Sequence, residues 1–239
     1  MVPQVEGPPR GERILHGRRR GRPLRQGQLH LWRTLLPRLR LALPEAGMVD
    51  PLAFFEVRPA DIWLEIGFGG GEHLAAQALA HPSVGMIGCE VFENGIVKLL
   101  AQIHDHAIAN IRLLTDDARL LLRALPEASL GRVFILFPDP WPKLRHHKRR
   151  IVSTATLDAL ARTMKDGAEL RLATDDEDYL RWMLDCARAH AAFERFGDES
   201  AERCQRPAEW PPTRYEAKAR AAGRTPAFLR FRRRRRAAA

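Results

Sequence analysis

The stretch Phe137 to Arg150, FPDPWPKLRHHKRR, fixes one carboxylate, Asp139, between two prolines and sets five cations within the next eleven residues. A carboxylate can accept hydrogen bonds or oppose a developing positive charge. Pro138 and Pro140 lock φ on either side, so the acid sits on a stiff loop. Trp141 offers an apolar face for a flat ring or for packing. Lys143, Arg145, Lys148, Arg149 and Arg150 suit phosphate contacts, although a bare charge run equally suits a solvated loop. His146 and His147 have no third ligand at loop or helical spacing, so phosphate or solvent contact is expected of them and metal binding is not.

Three more acids share this placement, each just beyond an apolar run. Glu65 closes DIWLEI and leads into Gly67, Gly69 and Gly71 of LEIGFGGGEHL. Such glycines let a backbone approach a ligand, and a helix start attracts anions, while a tight turn without a ligand stays open on this loop alone. A dinucleotide fingerprint wants glycine at position 72, where this chain has Glu72, a carboxylate set against any pyrophosphate. Glu90 ends VGMIGC nineteen residues past Gly71, the offset at which such folds hold a ribose hydroxyl pair. Asp117 follows IRLL and either accepts an adenine amino group or caps the next helix. Four acids and no base at successive strand ends suit a cationic cofactor with ribose and adenine but no phosphate. S-adenosyl-L-methionine meets that description.

The elements that must position these acids alternate strictly. Strand-like runs at 61–66, 84–89, 111–114, 132–137 and 168–173 are separated by helical patterns near 72–80, 93–106, 117–125, 154–165 and 177–191. Strands apolar on both faces imply a parallel sheet covered by helices on each side, with right-handed crossovers. Ligands bind at the carboxyl ends of such strands, where every acid above falls. After the fifth run, in TDDEDY, Asp175 is assigned to substrate, and Asp176, Glu177 and Asp178 to a helix cap and first turn. A calcium loop is not expected, because its glycine and distant glutamate are missing. Thr213 and Glu216 in TRYE have the spacing of a capping box.

These motifs carry a resemblance. LEIGFGGGEHL, GCEVFENG, NIRLLTDDA, FPDPWPKLRHHKRRIV, ATDDEDY and PPTRYEAKA resemble the successive motifs of the bacterial tRNA (guanine-N7-)-methyltransferases over roughly residues 48–231. The FPDPWPK block with its following cations is the most specific part. The resemblance implies the class I methyltransferase fold, a Rossmann-like three-layer α/β/α sandwich of about seven strands with the last, near FLRFR, antiparallel. It implies S-adenosyl-L-methionine as cofactor and tRNA as partner, with methyl transfer to N7 of a variable-loop guanine, guanine-46. Glu65, Gly67, Gly69, Glu90, Asp117 and Asp139 would line the cofactor site, with Asp139 also catalytic. Lys143, Asp175, Thr213, Arg214, Tyr215 and Glu216 would meet the substrate, and Arg145, His146, His147, Lys148, Arg149 and Arg150 the RNA. The family commonly has Lys where Arg214 stands, and an ammonium binds with a different geometry from a guanidinium fork. Methylation of an exocyclic amine, and RNA binding on the same fold without catalysis, are the two other readings.

Composition agrees with one α/β domain: 239 residues, 45% hydrophobic, with no apolar run long enough to span a membrane and no secretory leader. A cytoplasmic protein is expected, with monomer and homodimer both open. The three cysteines lack disulfide or zinc spacing and read as buried thiols. Residues 1–40, 143–150 and 214–236 carry +8, +5 and +9, which leaves −12 on the remainder of a chain whose total is +10. Charge segregated on this scale implies a polyanion partner, and no segment joins the cations to the apolar helical face that membrane binding needs. Residues 1–40 are expected to be a basic, largely disordered arm, 41–231 the catalytic domain and 232–239 an Arg-rich tail.

Overall fold

A computed structural model describes residues 17–197 and 205–237. Cys204 and the ends of the expected arm and tail lie outside the described residues. Five strands run parallel: β1 (Asp61–Ile66), β2 (Val84–Cys89), β3 (Ile111–Leu114), β4 (Leu130–Leu136) and β5 (Met164–Thr174). With β6 (Phe193–Arg195) and β7 (Ala227–Arg233) they form one sheet in the order β3-β2-β1-β4-β5-β7-β6, and β7 is antiparallel to both neighbours. The chain starts mid-sheet, winds outward through β2 and β3, then returns to the other side of β1. Loops leaving β1 and β4 diverge at that reversal and open a crevice.

Period-two alternation assigns the strand residues to two cores. Ile62, Leu64, Val133 and Ile135 face a layer containing α5 (Ala118–Ala124), α6 (Thr154–Thr163) and α7 (Glu177–Ala189). Trp63, Met86 and Phe134 face α3 (Glu72–Ala80) and α4 (Glu93–Asp105). The result is the three-layer sandwich that unbroken apolar strands require. The first three strands fall at the expected bounds. β5 begins earlier than expected, inside the run read as helix, because α6 stops at Thr163 and Met164 pairs with Leu130 before a register shift. β6, three residues long, carries no readable alternation.

Both basic ends depart from expectation. Within 1–40, Gln26–Thr34 and Leu36–Leu39 are helices, α1 and α2, and Leu31, Trp32, Leu36 and Leu39 pack against the α3–α4 core. Apolar burial, which composition averaged over an Arg-rich window conceals, outweighs the charge. The preceding residues lie as a strap across the start of α4. The Asn94 side-chain amide accepts from Gly21 N–H and donates to the Arg22 carbonyl, each at 2.8 Å. Glu93 N–H donates to Arg19 O at 2.9 Å, and Arg20 Nε meets the Glu93 carboxylate at 2.9 Å. At the other end Arg232 and Arg233 belong to β7, and Arg236 caps α6: its Nη2 donates to the carbonyls of Ala161, Arg162 and Met164 at 3.1, 2.8 and 2.9 Å, while Nη1 pairs with Asp166. A guanidinium satisfies helix-end carbonyls that otherwise lack donors.

Arg236→Ala should therefore cost about 1–2 kcal/mol in chemical denaturation, the size of a lost capping interaction. A Cβ at Gly21 would lie 2.5 Å from Asn94 Oδ1 and 2.9 Å from the Phe92 ring, so Gly21→Ala must push the amide off the strap. Losing about 1 kcal/mol or more of hydrogen bonding there should speed tryptic cleavage between Arg18 and Arg22 roughly tenfold. Gly27→Ala, where a Cβ meets nothing within 4 Å, should leave the cleavage rate alone.

Candidate active site

The crevice at the sheet reversal is a cleft of about 390 Å³ lined by the ends of β1, β2, β3 and β4. Its floor is the glycine loop after β1. Gly67, Gly69 and Gly71 hold φ of +76, +57 and +81, values that side chains rarely adopt, so the loop can turn tightly into α3. At Gly67 a Cβ would project into open space, and the backbone there is bare to the cleft. Glu90 ties this loop to the start of α4. Its Oε2 accepts from Gly69 N–H at 2.8 Å and its Oε1 from Val91 and Phe92 N–H at 2.7 and 2.9 Å. Burial pushes the Glu90 carboxyl up from the ordinary glutamate range, the three amides pull the other way, and the Asp139 charge adds to the rise.

Asp117 lines the cleft and also caps α5, accepting from Arg119 N–H at 2.9 Å with the Arg119 guanidinium at 3.0 Å. Capping is therefore realised at Asp117 itself, while Asp116 accepts from Asp117 N–H at 2.9 Å and lies 3.7 Å from Arg19 of the strap. Asp139 is exposed at the opposite wall and makes no hydrogen bond or ion pair among the described residues. The residues flanking its two prolines, Phe137 and Trp141, adopt φ of +50 and +46, strained for side chains of this size. Phe137 stacks on Tyr215 at 6.4 Å between ring centroids, which brings the start of α8 (Arg214–Ala221) to the cleft.

Glu65 is placed differently from the other three strand-end acids. Strand alternation puts its side chain on the face shared with Trp63, where it is 3% exposed and its Oε2 lies 2.7 Å from His73 Nδ1. It lies outside the main cleft and lines a small adjoining pocket with Thr213 and with Gly67, Phe137 and Tyr215, which the cleft shares. Arg150 departs from the expected exposed placement. It is 1% exposed, with its guanidinium on Asp178, so it presents nothing to a phosphate. His147 also turns inward, its ring edge-on to Trp182 at 5.5 Å. Lys143, Arg145 and Lys148 are exposed, and Arg149 lies over the Trp141 ring at 4.9 Å on the cleft rim.

Among the residues expected to meet substrate, Tyr215 lines the cleft. Thr213 caps α8 by accepting from Glu216 N–H at 3.1 Å, but Glu216 completes no box: its carboxylate meets Arg206 at 3.0 Å and Arg220 at 3.2 Å. Asp175 pairs with Arg224 at 2.7 Å, and Arg214 lies over its neighbour Tyr215 and 3.6 Å from Glu72. These side chains hold α8 and the β5 end in place. Sequence reasoning missed Gly17 and Arg18 of the strap, which also line the cleft. No local signal marks them, since their placement depends on Asn94, some seventy residues away.

The cleft fits a sulfonium donor. A carboxylate at the ribose offset and acidic side chains on both walls suit a cofactor with hydroxyls and positive charge, while Arg18, Arg119 and Arg149 bring compensating cations to the same lining. Among the described residues no group of three His, Cys, Asp or Glu could hold a metal, and no helix is long and apolar enough to cross a membrane.

Comparison with known proteins gives the family of the chain. The family described as "Putative methyltransferase" matches residues 59–229. A tRNA (guanine-N(7)-)-methyltransferase of Rhodospirillum rubrum is 53% identical, covering 93% of this chain and 89% of its own length. One from Paramagnetospirillum magneticum is 51% identical over 91% of this chain and 92% of its own length. In fold, the chain is similar to the 16S rRNA methyltransferase KamB, with a TM-score of 0.53 at 18% identity, covering 80% of this chain and 96% of that one. With the acids, the glycine loop and the proline-flanked carboxylate all at the sheet reversal, the chain belongs to the tRNA (guanine-N7-)-methyltransferase family.

Proposed function

We propose that the cleft binds S-adenosyl-L-methionine and that the protein methylates N7 of a variable-loop guanine, guanine-46, in tRNA. The observation that carries this is Asp139: an exposed, unpaired carboxylate on a strained, proline-stiffened loop, across the cleft from Glu90 and beside a basic turn. Glu90 would hold the ribose hydroxyls, Asp117 the adenine amino group, and the backbone at Gly67 and Gly69 the remainder of the cofactor. When bound, that cofactor supplies a methyl group on a sulfonium, which the in-plane lone pair of guanine N7 takes without losing a proton.

No general base is therefore required, and Asp139 has a different task. Its charge stabilises the purine as it becomes cationic, and its oxygens accept from the guanine N1–H and N2 amino group. An exocyclic amine would instead leave a proton to be removed. The stiff loop contributes orientation, which in aligned systems is worth on the order of 7–11 kcal/mol. Lys143, Arg145 and Lys148 hold phosphates near the target while the base turns outward, a movement costing a few kcal/mol. Tyr215 and Trp141 offer aromatic faces at the rim for that base. A tRNA substrate supports a cytoplasmic site for the reaction.

Methylated tRNA should undergo chain cleavage after borohydride and aniline treatment, a reaction of N7-methylguanine, at one variable-loop position; intact tRNA after complete methyl incorporation would point to an amine product. Asp139→Ala should lower methyl transfer by a factor of about 100 or more, as loss of a charge-stabilising group does, with unchanged thermal stability. Wild-type turnover in that variant would remove Asp139 from the chemistry. Arg145→Ala with Lys148→Ala should weaken tRNA binding at low salt and reduce the slope of log affinity against log salt by about 1–2.

A further inference from the structure

The geometry points to Arg150 as a positioning residue for Asp139 and not as a contact of the incoming RNA. This inference rests on the assignment of Asp139 to the reacting guanine. Asp139 lies between two residues in the left-handed region, Phe137 at φ +50 and Trp141 at φ +46. Conformations of that kind cost about 1–3 kcal/mol each and persist where surrounding contacts over-determine them. On the entry side Phe137 N–H donates to Ala173 O at 2.7 Å. On the exit side Arg150 Nε donates to Pro140 O at 2.9 Å, closing the basic turn back onto the peptide between Pro140 and Trp141.

Arg150 is in turn gripped by α7. Its Nη2 donates to Asp178, and its guanidinium lies over the rings of Tyr179 and Trp182 at 4.9 and 5.0 Å. The same helix holds the chain two residues on: Val152 N–H donates to Tyr179 Oη at 3.3 Å, and Trp182 Nε1 donates to Val152 O at 2.7 Å. The hydrogen bond from Arg150 holds the Asp178 carboxyl below the ordinary aspartate range; desolvation opposes it, and the Arg150 charge adds to the lowering. Arg150 thus transmits the position of α7, through one carbonyl, to the loop that carries Asp139. A lysine could make one of these contacts but not all, because only the planar fork donates from Nε and Nη together while stacking on rings.

The test uses Arg150→Lys and Asp178→Asn in the full chain. Single-turnover methyl transfer with saturating donor and tRNA is measured beside tRNA binding across a salt series. The transfer rate should fall on the order of 10- to 100-fold in Arg150→Lys, the scale of a displaced reactive group, and less steeply in Asp178→Asn. Affinity for tRNA and its salt slope should match the wild type. Asp178→Asn keeps the buried guanidinium and alters a carboxylate that is 52% exposed, so its slower step carries the test even where Arg150→Lys fails to fold. A normal rate in Asp178→Asn with a normal or unfolded Arg150→Lys overturns the inference. So does a salt slope lower by about one phosphate with the rate intact. An active Asp139→Ala would instead sink the reading beneath it, whereas an inactive Asp139→Ala beside a normal Arg150→Lys would sink the role of Arg150 alone.

Discussion

The reversal of strand order between β1 and β4 is the constraint on which the rest of the molecule depends. Parallel strands carry their carboxyl ends to one edge of the sheet, and at the reversal the two neighbouring loops must part. Glu90, Asp117 and Asp139 converge there because each follows a strand of the same direction. The sheet itself contributes no chemistry. It supplies a rigid edge on which short loops can hold charged groups that would repel one another in a softer frame.

Two means of holding those groups differ in physical character. Glu90 is fixed by hydrogen bonds from three amides belonging to two loops, so its charge is met by backbone dipoles and it joins the glycine turn to α4. Asp139 is held by its two flanking prolines and by hydrogen bonds at Phe137 and Pro140 on either side of it, and its carboxylate remains exposed. A carboxylate already satisfied by amides can bind neutral hydroxyls without reorganising, while an unsatisfied one is suited to a charge that appears during reaction. The contrast agrees with the proposed cofactor side and substrate side of one cleft.

The charge distribution also divides by role once positions are known. Exposed cations at Lys143, Arg145 and Lys148 face solvent beside the cleft. Arg150, Arg233 and Arg236 bond carbonyls and carboxylates within the fold. An arginine-rich sequence can thus be basic for two unrelated reasons, polyanion attraction and the capping of helix ends or loops, and charge counts merge them.

The alternation of apolar runs with helical patterns determined the fold class, the bounds of β1 to β3 and the placement of the strand-end acids, because period and side-chain direction are local properties of the backbone. The glycine loop and the stiffness around Asp139 were equally legible, since glycine and proline act on φ where they stand. The fate of each long or charged side chain was not. Glu65 faces His73, Glu216 joins Arg206 and Arg220, Arg150 turns inward onto α7, and Arg18 reaches the cleft from an arm held by Asn94. Apart from Glu216 with Arg220, an i,i+4 pair within α8, these pairings join residues whose separation in sequence carries no period, and only the packed sheet and its helices bring the partners within bonding distance.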